Sequence, residues 1–99
     1  MGRVAFIWDL EDDPEGNYWH ICVEGHGVTR EEVEEVLARN YETVTRSRSS
    51  GQPEAFGWTA SGKYLTVVFE CVSEDPLTIY PITAYEVPPP GPRKRRKKR

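Results

Sequence analysis

An α+β fold is predicted for this chain by three observations. A helix-capping signature lies in its first half, β-type alternation runs through most of its second half, and only short turns separate the β-type runs. Helices followed by closely connected strands argue a small antiparallel sheet with two helices from the N-terminal half packed on one face. The predicted order is β-α-α-β-β-β-β. Ninety-nine residues allow a single domain, placed at residues 1–87, with 88–99 as a tail.

Val4-Ala5-Phe6-Ile7-Trp8 is a short apolar run that reads as the first strand. The acidic stretch that follows suggests a helix start, with Asp13 as N-cap and Pro14 at the first helical position. Trp19, Cys22 and Val23 fall at helical spacing, and Gly25 and Gly27 stop the helix. In Val28-Thr29-Arg30-Glu31-Glu32-Val33, Thr29 and Glu32 stand as a capping box, and Val28 and Val33 as a hydrophobic staple. The second helix therefore starts at Thr29, buries Val33, Val36 and Leu37, turns Glu31, Glu34, Glu35 and Arg39 toward water, and ends near Asn40. Four strands follow: Tyr41 to Arg46, Ala55 to Thr59, Tyr64 to Val72 and Leu77 to Val87. Turns lie at Ser47 to Pro53, Ala60 to Lys63 and Ser73 to Pro76. Proline donates nothing to a β-ladder, so the last strand is expected to bulge or lie at an edge near Pro81.

The formal charge of −3 joins two unlike parts. Arg93 to Arg99 are seven consecutive cations. Residues 1–92 hold six of the 13 Lys+Arg and all 16 Asp+Glu, so a body of −10 precedes a tail of +7. Pro88-Pro89-Pro90-Gly91-Pro92 continues neither helix nor sheet, and residues 88–99 are expected to be disordered. The tail would attract polyanions by counterion release, with little sequence preference, or serve only as a solubilising appendage. No run approaches a membrane span, and the start lacks a secretory stretch, so a cytoplasmic protein with no membrane partner is expected. Cys22 and Cys71 form no CxxC pair, which fits reduced thiols.

Few constellations carry chemistry. His20, Cys22, Glu24 and His26 alternate and on a strand would share a face as metal ligands, but on a helix neighbours two apart diverge by about 200°. No metal and no cofactor is expected. Arg46 and Arg48, interleaved with Ser47, Ser49 and Ser50, form the basic patch of the body, suited to an RNA backbone or to a solvated turn. Trp58, Tyr64, Tyr80 and Tyr85 lie on strands, where rings either stack unpaired bases or pair across the sheet. The run Glu31 to Glu35 is a solvated helix face, or a docking surface for a basic partner such as the tail. No phosphate-cradling glycine loop and no catalytic triad spacing is present.

The order of motifs resembles a known family. It runs Phe6-Ile7-Trp8-Asp9, Asn17, then His26-Gly27-Val28-Thr29 into Glu31-Glu32-Val33-Glu34-Glu35-Val36-Leu37. Phe56-Gly57-Trp58-Thr59, Gly62-Lys63-Tyr64-Leu65, Val67-Val68-Phe69-Glu70 and Pro81-Ile82-Thr83-Ala84 follow. These residues, spanning roughly 5–86, are similar to the BrnT-like toxins, small RelE-like ribonucleases of type II toxin–antitoxin pairs. The resemblance implies RNA as substrate, a cognate antitoxin as partner and metal-independent cleavage. Where the family commonly reads Ser-Ala-Arg this chain has Thr83-Ala84-Tyr85, which makes Tyr85 the candidate at the arginine position. The lysine that the family carries before its histidine is here Gly25.

The expected catalytic set is His20, His26, Arg48 and Tyr85, with Arg46, Arg48, Trp58 and Tyr64 binding RNA. Histidine is the side chain suited to proton shuttling near neutral pH, and arginine pairs with phosphate. The competing reading is an interaction module without catalysis, its acidic body binding a basic partner and its tail binding nucleic acid.

Overall fold

The computed structural model describes residues 4–25 and 27–90. His26 and the basic segment from Gly91 to Arg99 lie outside the described residues, as does the expectation of a disordered C-terminal end beyond Pro90. The described chain is α+β, a five-stranded sheet with two helices. Its strands are β1 (Ala5–Phe6), β2 (Tyr41–Arg46), β3 (Pro53–Trp58), β4 (Tyr64–Glu74) and β5 (Leu77–Glu86), in spatial order β1-β5-β4-β3-β2.

The sheet is mixed, which corrects the antiparallel expectation. β1 runs parallel to β5, pairing Ala5 with Thr78 and Phe6 with Ile79, while every other neighbouring pair is antiparallel. The physical reason is the connection: two helices stand between β1 and the rest, and such a long crossover can return a strand in either sense, whereas the short turns of the second half permit only antiparallel pairing. Near Pro81 the ladder bulges, Val68 pairing Thr83 and Phe69 pairing Pro81 with Ile82 skipped. The extra residue absorbs the proline's missing donor. β4 extends to Glu74, so Ser73 belongs to the strand and the turn is confined to Asp75-Pro76.

The first helical element, Trp19–Val23, is π-wound, closed by Glu24 N–H donating to Trp19 O at 2.8 Å. It begins later than Asp13. Asp13 instead accepts from Glu15 N–H with its side chain and from Gly16 N–H with its carbonyl, making a turn that precedes the helix. The wider winding also moves the buried face. Ile21 enters the core while Val23 is exposed, reversing an assignment based on 3.6-residue periodicity.

The second helix, Arg30–Glu35 continued π-wound through Val36–Asn40, carries the expected cap. Thr29 Oγ1 accepts Glu32 N–H at 3.1 Å, and Glu32 Oε1 accepts Thr29 N–H at 3.0 Å. Val28, Val33, Val36 and Leu37 are buried as the staple and stripe require. They join Ile21 and the strand residues Ala55, Leu65, Val67, Ile79 and Ala84 in one core. Each fully buried Val or Leu contributes about 1.5–3 kcal/mol of transfer free energy, so this small cluster holds most of the domain's favourable burial.

The acidic stripe is not simply solvated. Glu34 accepts the Trp8 indole N–H at 2.8 Å, and Glu35 accepts the Ala60 amide at 3.0 Å. Glu32 gathers Ser61 and Lys63 besides its capping bond. Partial burial pushes the Glu32 carboxyl up, but the bonds from Ser61, the Thr29 amide and Lys63 outweigh it and hold the group below its ordinary value. These carboxylates bolt the helix to the stretch just after β1 and to the β3–β4 turn, which leaves less of the acidic face for a basic partner.

At Gly57 the packing leaves no room for a side chain. A Cβ on Gly57 would lie 2.4 Å from Asn40 O and 2.9 Å from the Tyr41 Cα, both backbone atoms at the junction of helix and β2. Gly57→Ala must separate that junction, at a cost of about 1–3 kcal/mol. At roughly 4–8 °C per kcal/mol for a domain of this size, calorimetry should record a clear fall in Tm. An unchanged Tm would show that the junction gives way freely.

Candidate functional site

The face of the sheet opposite the core carries the candidate groups in a register that the pairing defines. Thr43, Phe56, Thr66 and Tyr85 form one row across β2, β3, β4 and β5. Thr45, Glu54, Val68 and Thr83 form the next, and Trp58 beside Tyr64 forms a third. A shallow cleft of about 470 Å³ opens over the first two rows, lined by Thr45, Arg46, Ser47, Arg48, Ser49, Glu54 and Tyr85. The basic turn between β2 and β3 therefore meets the last strand, uniting Arg46, Arg48 and Tyr85 although 37 residues separate Arg48 from Tyr85 in the chain.

Local bonding holds the turn. Ser47 N–H donates to Gln52 O at 2.7 Å, Gly51 N–H donates to Ser47 O at 2.8 Å, and Gly51 adopts φ +76°, a conformation glycine takes without strain. Arg46 is partly spent on it, its guanidinium donating to Gly51 O at 2.6 Å. Among the described residues, neither the Arg48 guanidinium nor the Tyr85 hydroxyl has a side-chain hydrogen bond or ion pair. Tyr85 is 47 % exposed. Glu54 on the cleft wall is engaged, accepting the Thr66 hydroxyl at 2.7 Å.

His20 approaches the same strand from the first helix. Its Nε2 lies 3.1 Å from Thr83 Oγ1, and its Nδ1 lies 3.5 Å from the Glu24 carboxylate one turn on. Thr83 and Tyr85 stand two residues apart on one strand and share a face, about 7 Å from each other. Along this strip of β5 the imidazole sits against Thr83 in a neighbouring cleft lined with Asn17, Glu24, Tyr80 and Ile82, while the phenol and the free guanidinium share the cleft beside the β2–β3 turn. Thr83 was not among the sequence candidates, and its place two residues before Tyr85 is the signal that would have found it.

Trp58 and Tyr64 divide. Tyr64 is buried, its ring 6.4 Å from Phe56 in a stacked arrangement and 5.1 Å from Trp58, and burial raises its pKa. It packs the sheet and has no free face for a base. Trp58, 39 % exposed, keeps one. The alternating His20, Cys22 and Glu24 do not converge: Cys22 packs against the core, with burial raising its thiol pKa, while His20 and Glu24 face solvent. No group of three or more metal-ligating side chains occurs among the described residues. No helix there is long and apolar enough to cross a membrane.

The floor beside His20 is built by a polar bracket. Asn17 is 4 % exposed and donates from Nδ2 to Ile7 O and to Pro81 O, each at 2.9 Å, while its Oδ1 accepts Asp9 N–H at 2.8 Å. Asp9 in turn accepts the Asn17 amide at 2.9 Å and the Tyr80 hydroxyl at 2.6 Å. The Tyr80 bond and the Asn17 amide hold the Asp9 carboxyl below its ordinary value. The same bond to Asp9, with burial, pushes the Tyr80 phenol up to about 12. Stability from the Asp9 side is present above its unfolded pKa of 3.8 and is lost as pH falls through the lowered folded value. Stability from Tyr80 is present below 10.0 and is lost as pH rises toward about 12. Ultraviolet titration of the five tyrosines should show two delayed phenols, Tyr64 and Tyr80, of which the Tyr80 step is absent in Tyr80→Phe; an identical curve for that variant would refute the bond.

Comparison with protein-family models, curated proteins and solved structures returned no match to this chain.

Proposed function

We propose that this chain is a toxin-type endoribonuclease with a RelE-like fold, which cleaves RNA without a metal and is neutralised by a cognate antitoxin. The observation that carries the proposal is the cleft that brings Arg46, Arg48 and Tyr85 together, with His20 against Thr83 two residues along the same strand. The resemblance of residues 5–86 to BrnT-like toxins supports it.

Cleavage of this kind needs a base for the ribose 2′-hydroxyl, an acid for the departing 5′-oxygen and positive charge against the phosphate in the transition state. Tyr85 and His20 are the proton-transferring pair of the strip, Thr83 fixing the ring by its contact to Nε2. Arg48, without a partner among the described residues, has its full fork of donors for the phosphate. Trp58 offers a ring to a neighbouring base, which favours an unpaired strand over a duplex. Arg46 braces the turn that presents Arg48.

The test is purified protein mixed with single-stranded RNA in the presence of EDTA, with fragment ends mapped. Fragments ending in a 2′,3′-cyclic phosphate opposite a 5′-hydroxyl are expected, and expression of the chain by itself should arrest growth. RNA that binds but stays intact would favour the non-catalytic module instead.

A further inference from the structure

We infer that the basic run Arg93 to Arg99 is a tethered anchor that holds single-stranded RNA over the cleft beside Tyr85, an inference that rests on RNA lying in that cleft. The root of the run stands next to the candidate groups. Beyond Glu86, the last residue of β5, Val87 N–H donates to Tyr64 O at 2.9 Å, and Tyr64 pairs with Trp58. Thr83, Tyr85 and Val87 alternate onto one face, so the chain leaves the sheet one row past Tyr85, beside the exposed ring of Trp58. Pro88, Pro89 and Pro90 follow, exposed and outside any strand or helix. Covalent geometry bounds the reach: the six residues from Val87 to Arg93 span at most about 20 Å. The basic run therefore cannot start far from Trp58 and Tyr85.

The anchor answers a shortage of free cations in the body. Among the described residues, Lys63 is held by Glu32 and Gly27 O, and Arg46 donates to Gly51 O. Arg30 lies over the Tyr18 ring at 5.7 Å, and Arg39 lines a different cleft with Glu34 and Glu35. That leaves Arg48 for the Tyr85 cleft. One guanidinium on a body of formal charge −10 collects a polyanion poorly, whereas seven cations at its rim release counterions from several phosphates. The body's own carboxylates compete for the run, but Glu32, Glu34 and Glu35 are already engaged. Attraction between exposed charges also fades over about 8 Å at about 0.15 M salt. RNA adds the entropy of its released counterions, which makes it the favoured occupant.

The test compares the full chain with a full-length variant in which glutamine replaces all seven residues from Arg93 to Arg99. The probe is a single-stranded oligonucleotide with 2′-O-methyl riboses, which binds but is not cut. Quenching of Trp58 fluorescence, taken as the difference from Trp58→Phe, reads arrival of the strand at the cleft. At physiological salt the variant should need at least roughly tenfold more oligonucleotide for half-quenching, and its slope of log affinity against log salt should flatten by up to about 5. On cleavable RNA its KM should rise while kcat stays within about twofold, because the anchor holds ground state and transition state alike. A synthetic peptide of residues 88–99 added in trans should restore none of this, since tethering supplies the effective concentration. Circular dichroism checks that the variant folds. Equal half-quenching in the two chains overturns the inference, as does binding by the full chain that leaves Trp58 unquenched, or rescue by the free peptide. Tighter binding by the variant overturns it too, showing that the run covers the acidic body instead. Run-dependent quenching without cleavage of any RNA would strike the ribonuclease reading and leave the anchor standing.

Discussion

Asn17→Ala should lower the thermal midpoint by more than ~12 °C and bring the domain close to unfolding at ambient temperature. The side chain is buried and ties three segments together: the stretch just after β1 through Ile7 O and Asp9 N–H, the start of the first helix, and the bulge of β5 through Pro81 O. Alanine leaves two carbonyls and an amide without their partner, and each unmet buried group costs about 1–3 kcal/mol. Water entering from the exposed side recovers part of this, leaving about 3–5 kcal/mol. The whole stability of a domain this size is only about 5–12 kcal/mol. Asn17→Asp should do no better, because it replaces the donor with an oxygen facing two carbonyl oxygens. A fall under ~3 °C, measured by calorimetry, would mean that water substitutes for the amide and that the bracket is dispensable.

Tyr85→Phe and Arg48→Ala should each reduce RNA cleavage by about a hundredfold while leaving the thermal midpoint nearly unchanged. Loss of a positioned proton-transferring group typically removes a factor of 10²–10⁴, and loss of a charge-stabilising donor a similar amount. Neither side chain makes a hydrogen bond or ion pair among the described residues, and Tyr85 is half exposed, so folding does not depend on them. That separates them from Asn17, whose substitution would abolish activity by unfolding the protein. Arg48→Lys should recover binding more than turnover, because an ammonium supplies charge without the guanidinium fork. Full cleavage by both Tyr85→Phe and Arg48→Ala, read as fragment yield per unit time, would remove the strip from the reaction.

The candidate site was legible only in pieces. Arg46, Arg48 and Tyr85 were identified as residue types suited to phosphate and proton chemistry, yet nothing in their spacing indicated that the β2–β3 turn reaches β5. That meeting follows from the register Thr45–Glu54–Val68–Thr83, which a chain of pairings across four strands establishes. Tyr64 shows the opposite outcome: it alternates correctly for an exposed aromatic, but Phe56 and Trp58 close over it. Glu34 and Glu35 read as solvated because helical periodicity places them off the core, and periodicity carries no information about Trp8 or the Ala60 amide. The π-winding of the first helix was hidden too, since a period of 3.6 is assumed before apolar positions are assigned.

What the sequence determined by itself is the set of features whose partners lie within a few residues. Thr29 and Glu32 cap a helix because they are three positions apart, Val28 and Val33 staple it, and Leu65, Val67 and Phe69 recurring every second residue mark β4 as a strand. The α+β class follows from these short-range facts. The tertiary structure decided the rest: the parallel docking of β1, the Asn17 bracket, the Tyr80–Asp9 bond and the placement of His20 against Thr83. The partners in those contacts are separated by 63 residues for His20 and Thr83, 64 for Asn17 and Pro81, and 71 for Tyr80 and Asp9. Local propensity and capping act over one or two turns of chain, whereas such contacts form only once the core has brought both ends of the domain to the same strand.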